Sequence, residues 1–202
     1  MIEHIISFIA PHACISCKKE GDLLCYGCRS SLSHPKETMT FSSIYTVSAA
    51  TIYEDNAKEL IGRLKFERSK SAALTIAAIM AERLPMTGMV VTHVPTATSR
   101  ARARGYDQAA LIAREYARLR HLYYVPLLSR LGHERQVGAG RTERRRQLIG
   151  SFRTKGNPAA FPSILLIDDV ITTGSTLAAA AATLKQAGNA RVHAAVFAMS
   201  RK

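Results

Sequence analysis

Ile164-Leu165-Leu166-Ile167-Asp168-Asp169-Val170-Ile171-Thr172-Thr173-Gly174-Ser175-Thr176-Leu177 is the stretch on which the reading of this chain turns. Four apolar residues, Ile164 to Ile167, have the pattern of a buried parallel strand. Two carboxylates close that strand, and small hydroxyl residues around one glycine follow. An Ala-rich run to Ala187 then reads as a helix. Backbone N–H groups left free at Thr173 to Thr176, together with the positive end of the helix dipole, suit a phosphate. Gly174 is expected to let the backbone approach that phosphate closely. Ionised Asp168 and Asp169 only accept hydrogen bonds, so they suit the vicinal hydroxyls of a ribose or the shell of a Mg²⁺ ion. A ribose 5-phosphate matches a site that is acidic at one end and phosphate-binding at the other.

The stretch is similar to the phosphoribosyl pyrophosphate (PRPP) signature of type I phosphoribosyltransferases. The bland alternative is a buried strand with an Asx-type turn and a hydroxyl helix cap. A lone Asp-Asp after apolar residues also fits a nucleotide-hydrolysing strand. The chain holds no Gly-x4-Gly-Lys-Ser/Thr cradle, however, and so lacks the phosphate loop such an ATPase needs.

Working outward, the chain has 202 residues, enough for one ordinary domain and a small appendage. A hydrophobic share of 47% supports a sizeable core, and seven prolines and 12 glycines are too few for disorder. The net charge of +13, from 28 Lys and Arg against 15 acids, points to polyanionic partners such as nucleic acid or phosphorylated substrates. The apolar residues of 1–10 are interrupted by Glu3 and His4, too short for a membrane span and without a basic leader. A cytoplasmic protein with no membrane span is expected.

All four cysteines fall in Cys14-x2-Cys17-x7-Cys25-x2-Cys28. Two such knuckles present four thiolates in the tetrahedron that structural Zn²⁺ takes, with no open position for catalysis. A redox pair and an iron–sulfur cluster are the alternatives. Residues 30–43 are rich in Ser, Thr and Pro and read as a linker. The expected division is therefore a zinc-binding module and linker over 1–40 and an α/β domain over 41–202.

Within the second part, strands are expected in 41–53, 89–95, 123–128, 164–167 and 192–199, and helices over 56–66, 71–84, 106–119 and 175–187. The alternation argues for a mainly parallel sheet flanked by helices, with the ligand beyond the strands' carboxyl ends near Pro95 and Asp168. Residues 132–146, with Arg135, Arg141, Arg144, Arg145 and Arg146, read as a basic loop.

Taken in order, these pieces resemble the ComF family of bacterial competence proteins. The resemblance begins at Pro11-x2-Cys14-x2-Cys17 and runs through Tyr53, Leu64-Lys65-Phe66, Val94-Pro95, Arg100, Arg104, Gly105 and Gln108. It continues with Gln136, Arg144 to Arg146 and Phe152, and ends with Asp168 to Leu177 and Arg201. It implies a type I phosphoribosyltransferase-like α/β fold with an N-terminal four-cysteine zinc module. It also implies that Lys65 touches a phosphate, that PRPP binds with Mg²⁺, and that the protein acts on incoming single-stranded DNA in natural transformation. Competence and DNA-uptake machinery proteins are the protein partners it implies. In that picture Thr172, Thr173, Gly174, Ser175 and Thr176 hold the 5-phosphate and Asp168 and Asp169 hold the ribose. The loop from Thr96 to Ser99 with Arg100, Arg102 or Arg104 neutralises the departing pyrophosphate. Asp107 and Gln147 stand where the family usually has Asn, and His93 where a proline is common. Asp107 is expected to place a negative charge beside the pyrophosphate region.

Two functional classes follow. One is a PRPP-dependent enzyme passing phosphoribose to an acceptor, nucleobase salvage being one form of it. The other is a PRPP- and DNA-binding factor without turnover. The chain has no Trp and only 7 Tyr and 6 Phe, so base-stacking platforms are not evident from sequence.

Overall fold

A computed structural model describes residues 12–36, 39–67, 69–96, 105–131, 150–188 and 190–201. Strand β1 (His12–Ala13) pairs antiparallel with β2 (Glu20–Gly21), and a short helix α1 (Tyr26–Ser30) follows. The α/β body runs β3 (Thr46–Ile52), α2 (Asp55–Phe66), α3 (Lys70–Arg83), β4 (Val90–His93) and α4 (Gln108–Leu119). It continues with β5 (Leu128–Arg130), β6 (Phe152–Thr154), a 3₁₀ turn at Pro158–Ala160, β7 (Ser163–Ile171), α5 (Ser175–Ala187) and β8 (Arg191–Met199).

The central sheet has the order β3-β8-β7-β4 with all pairs parallel. Its residues alternate between two covered faces. Val91, Leu165, Ile167, Ala195 and Phe197 join the core under α2, α3 and α4. Val90, Ile164, Leu166, Ala194 and Val196 join the core under α5 and β6. Burial on both sides is why Ile164 to Ile167 is apolar at every position rather than at every second one. Helix α3 buries Ala72, Ala73, Ile76, Ala77, Ile79, Met80 and Ala81, so its small residues let it sit close between neighbours.

Two boundaries differ from the sequence expectation. Strand β7 does not stop at Ile167 but runs on to Ile171. Its partner β8 is equally long, and the register pairs Asp168 with Val196, Val170 with Ala198 and Ile171 with Met199. The expected strand over 123–128 forms only a parallel bridge from Tyr124 to Val91. Pro126 has no N–H to continue that ladder, and from Leu128 the chain pairs with β6 instead.

The cysteine module is docked on the helical face. Cys14, Ile15, Leu23, Leu24 and Leu32 belong to the same apolar core as α2 to α4. Arg83 binds it by the backbone: Nη1 donates to the Leu32 carbonyl (3.0 Å) and to the Ala50 carbonyl of β3 (3.1 Å), and Nη2 donates to the Arg29 carbonyl (2.6 Å). The Ser33 carbonyl also accepts from the Ile52 N–H at 3.1 Å and from the Thr51 hydroxyl at 2.9 Å. Among the described residues no helix is long and apolar enough to cross a membrane.

Candidate functional site

The parallel arrangement brings the ends of β3, β8, β7 and β4 to one edge of the sheet. Asp168 and Asp169 lie there inside β7, half-buried rather than solvated at a strand end. Successive strand residues face opposite ways, so Asp169 shares the face of Leu165 and Ile167, toward α2. Lys65, near the end of α2, meets it: Nζ lies 2.8 Å from Oδ2 of Asp169. The Tyr106 hydroxyl and Gln108 Nε2 each donate to the Leu64 carbonyl at 3.0 Å, which fixes that end of α2. Each Asp also accepts an N–H from the next residue: Asp169 N–H to Asp168 at 2.8 Å, and Val170 N–H to Asp169 at 2.7 Å.

Burial, and then the charge of Asp169, push the Asp168 carboxyl up to about 8, against the opposing pull of the Asp169 N–H and of Lys65. At neutral pH the Asp168 carboxyl is therefore mostly protonated, and Lys65 stands beside its neighbour Asp169. A cation, or hydroxyl donors arriving beside Asp168, would favour its ionised form.

The loop after β7 turns at Gly174, which has φ 74° and stands at the N-cap of α5. Thr172 and Thr173 are exposed, the Thr173 and Ser175 hydroxyls lie 2.9 Å apart, and the Ser175 N–H points at Thr173 Oγ1 at 3.5 Å. On the side where a side chain would project, Gly174 faces protein. A Cβ at this position would collide with the Phe41 ring and lie 3.2 Å from Cδ1 of Ile171. Phe41 is held there by its own turn and by the Ser43 hydroxyl, which donates to the Ala178 carbonyl at 3.0 Å. The exposed faces of Thr172, Thr173, Ser175 and Thr176 remain for an anion.

At the end of β4, Asp107 does two jobs. It caps α4 by accepting the Ala110 N–H at 3.2 Å. It also anchors the loop leaving β4, accepting the Thr96 N–H at 2.8 Å and the Thr96 hydroxyl at 3.2 Å. Its carboxylate is thus engaged in hydrogen bonds rather than left bare. The signal was present: an Asp directly before a helical apolar pattern is an N-cap, and α4 starts at Gln108 rather than at Tyr106. His93 is buried, with Nδ1 2.9 Å from the Tyr124 hydroxyl and Nε2 3.9 Å from Asp107. Burial lowers its pKa, Arg114 and Lys155 lower it further, and Asp107 works the other way. The Arg100, Arg102 and Arg104 cluster, residues 97–99, and the basic loop of 132–146 with Arg135, Gln136, Arg141, Arg144, Arg145 and Arg146 lie outside the described residues, as does Gln147.

A second cluster stands in the N-terminal module. The Sγ atoms of Cys14, Cys17, Cys25 and Cys28 all lie within 4.8 Å of one another, and those of Cys17 and Cys25 are 3.6 Å apart. A tetrahedral set of Zn–S bonds of about 2.3 Å separates its sulfurs by about 3.8 Å, so the cage has the right size. The β1–β2 hairpin supplies the first two thiols and the start of α1 the other two. Four clustered cysteines of this kind can hold zinc.

A family model for the phosphoribosyl transferase domain matches residues 70–202. The chain belongs to that family. It is a ComF-like member: it is 34% identical over 154 residues to Competence protein ComFC of Bacillus subtilis (strain 168), across 73% of this chain. The chain spans 59% of the length of that curated relative. Among solved structures it is similar to one described as the allosteric regulatory enzyme of purine biosynthesis, with a TM-score of 0.44 and 19% identity. That overlap covers 63% of this chain and 25% of the other. It is also similar to glutamine PRPP amidotransferase from B. subtilis complexed with ADP and GMP, with a TM-score of 0.44 and 20% identity over 63% of this chain and 26% of that one. The family match over residues 70–202 and the all-parallel central sheet bear out the sequence readings of family and fold.

Proposed function

We propose that this ComF-like protein binds a 5-phosphorylated ribose, PRPP in particular, at the carboxyl end of β7. The observation that carries the reading is the acidic pair, tied to Lys65, directly before an exposed hydroxyl loop at the start of a 13-residue helix. The helix dipole and the loop hydroxyls favour the 5-phosphate, while Asp168 and Asp169 accept from the ribose hydroxyls. Both carboxylates also suit Mg²⁺, which supplies charge neutralisation for a pyrophosphate; an Asp168 held mostly protonated by burial and then by its neighbour's charge is a group that gains from a cation. Lys65 can exchange its contact with Asp169 for a ligand phosphate oxygen. Arg100 and Arg104 keep their place in this reading as pyrophosphate contacts, from sequence alone.

In this reading the protein works in the cytoplasm in natural transformation, on incoming single-stranded DNA and beside the competence and DNA-uptake machinery. Support comes from the +13 charge and from the likeness to a protein named for competence. Whether phosphoribose is transferred is a separate question, answered by pyrophosphate release. Isothermal titration with PRPP, with and without Mg²⁺, tests the site. Binding that strengthens with Mg²⁺ is expected, and no heat at millimolar PRPP and ribose 5-phosphate rejects the reading.

The cysteine module we assign to a structural zinc. Protein purified without added metal should contain about one Zn²⁺ per chain, and Cys14→Ser should release it. Because Cys14 is fully buried in the core shared with α2 to α4, that variant should also lower the melting temperature of the whole chain. Intact metal-free protein with four free thiols would count against zinc.

A further inference from the structure

Beside the acidic pair, the end of β4 buries a titratable group that phosphate binding does not require. All of Val90–His93 is buried, and His93 closes the strand. An apolar side chain would fill that place without the cost of burying an imidazole. Tyr124 fixes the ring, stacking on it with centroids 5.8 Å apart and setting its hydroxyl 2.9 Å from Nδ1. Nε2 then faces Oδ2 of Asp107 at 3.9 Å, too far for a hydrogen bond. A carboxylate only accepts, so the hydrogen of the neutral ring belongs on Nε2, and Nδ1 accepts from Tyr124.

The Asp107 oxygen that faces His93 also receives the Thr96 N–H, at 2.8 Å. The other oxygen receives the Thr96 hydroxyl and the Ala110 N–H. Asp107 thus joins the chain leaving β4 to the start of α4, and it sets a negative charge beside β7, where its field reaches Asp168. The two strand ends touch: the Val94 N–H donates to the Ile167 carbonyl at 2.9 Å. The groups that bear on His93 are Asp107 and Arg114 from α4 and its cap, Lys155 from the chain after β6, and Tyr124 from the chain before β5. On β7 its partner is the apolar Ile167, one residue before Asp168. Burial works hardest against a charged imidazole, Asp107 works for it, and Arg114 and Lys155 work against it. In the free protein His93 is therefore neutral at neutral pH.

We propose that His93 is a positioning residue: it takes up a proton when a ligand carrying a pyrophosphate binds across the ends of β7 and β4, and then closes on Asp107. This rests on the phosphoribose reading of the β7 end and concerns how that same site answers to pH. A multiply charged anion beside β4 favours the imidazolium through space. The proton comes from solvent, and no other covalent bond of protein or ligand changes. The charged ring donates to Asp107 through Nε2 and to the Tyr124 oxygen through Nδ1, as the Tyr124 hydroxyl turns away. One Asp107 oxygen then holds both His93 and Thr96, and the Asp107 charge that opposes an anion is offset. A ligand that ends at the start of α5, as ribose 5-phosphate does, leaves His93 neutral.

The test is calorimetric titration of the full chain with PRPP and with ribose 5-phosphate at about pH 6, close to the ordinary range of histidine. Buffers of different ionisation heat count the protons taken up per ligand. His93→Asn keeps a hydrogen-bonding group near the place of Nδ1 and cannot charge. Asp168 and the ligand's own ionisation contribute to both proteins, so the difference between them belongs to His93. Wild type should take up roughly 0.3–0.5 proton more per PRPP than His93→Asn, the yield of a rise of about one unit centred near that pH. Its PRPP affinity relative to the variant should grow about threefold or more from pH 7.5 to pH 5.5. Ribose 5-phosphate should show neither difference. Asp107→Asn removes the carboxylate that favours the charged ring and should lose most of the extra uptake. Equal uptake by wild type and His93→Asn overturns the proposal, and makes His93 structural if both ligands weaken alike and the melting temperature falls. The same excess with ribose 5-phosphate also overturns it. If His93→Asn does not fold, Asp107→Asn carries the comparison, and undiminished uptake there overturns the proposal. PRPP that binds without the difference rejects this proposal alone, whereas neither ligand binding to wild type rejects the phosphoribose reading and the proposal with it.

Discussion

The carboxyl ends of β7 and β4 lie side by side in the sheet and are built in opposite ways. The groups proposed to meet the ligand at the end of β7 are mostly consecutive: two carboxylates, three threonines, a glycine turn and a helix start within 164–177, joined by Lys65 from α2. The end of β4 is assembled from distant ones. His93 and Thr96 meet Asp107 from the next helix, Tyr124 from beyond it, and the charges of Arg114 and Lys155. A contiguous site is legible as a motif because its geometry follows from local backbone rules. A convergent one is not, since no single stretch contains its pattern. The difference also predicts unequal fragility: charge changes at β7 should strike the ligand, and those at β4 should strike the loop that frames it.

The largest expected effect is on ligand affinity at β7. Asp168→Asn with Asp169→Asn keeps the size of both side chains and removes the charged acceptors. A charged hydrogen bond is worth about 1.5–3 kcal/mol, so PRPP affinity should fall at least about tenfold by titration, and transformation should fail in cells carrying the variant. If affinity is unchanged, the ribose does not sit on these carboxylates and the contrast between the two ends loses its functional half.

Next comes the turn. Gly174→Ala adds a Cβ at a φ that favours glycine, and pushes it into Phe41. Such strain costs on the order of 1–3 kcal/mol. The melting temperature should drop by several degrees, and Phe41→Ala in the same chain should recover the clash but not the dihedral cost. Full recovery in the double variant would mean that packing alone, not backbone conformation, requires glycine there. This requirement was half legible: glycine in the motif predicted a special backbone, but Phe41, more than a hundred residues earlier, carried no sign of where it packs.

A different kind of effect is a pH dependence. The Asp168 carboxyl stands at about 8 against an ordinary 3.8. Between those values the folded protein binds a proton that the unfolded chain has lost, so this group makes stability fall as pH rises from about 4 to about 8, and level off above. Asp168→Asn removes that slope, and its gain over wild type should be greatest at pH 8 and above. Binding of Mg²⁺ and PRPP favours the ionised carboxylate, so wild-type affinity should rise toward pH 8 with release of a proton. Thermal scans and titrations in buffers of different ionisation heat measure both. The partial burial behind this shift is not legible in the motif: β8 matches β7 to its last residue and Lys65 folds in from α2.

The smallest expected effect tests the β4 end. Asp107→Ala removes the cap on Ala110 and both bonds to Thr96. Loss of an N-cap costs about 1 kcal/mol, and a chain of this size should lose roughly 2–4 °C for it. Asp107→Asn keeps an oxygen for the cap but places an amide where the Thr96 N–H is now received, so its melting temperature should fall between wild type and Asp107→Ala. Charge separates the two ends further. The Asp107 carboxylate helps to raise the Asp168 pKa, although it is the least of the causes, and it raises that of His93. Asp107→Asn should therefore move the pH midpoint of PRPP binding slightly lower, while Asp168→Asn removes that midpoint. A shift with no change in stability would make Asp107 chiefly an electrostatic neighbour of β7. Lost stability with no shift would make it only the clamp of the β4 loop, and the two strand ends would then be coupled by packing alone.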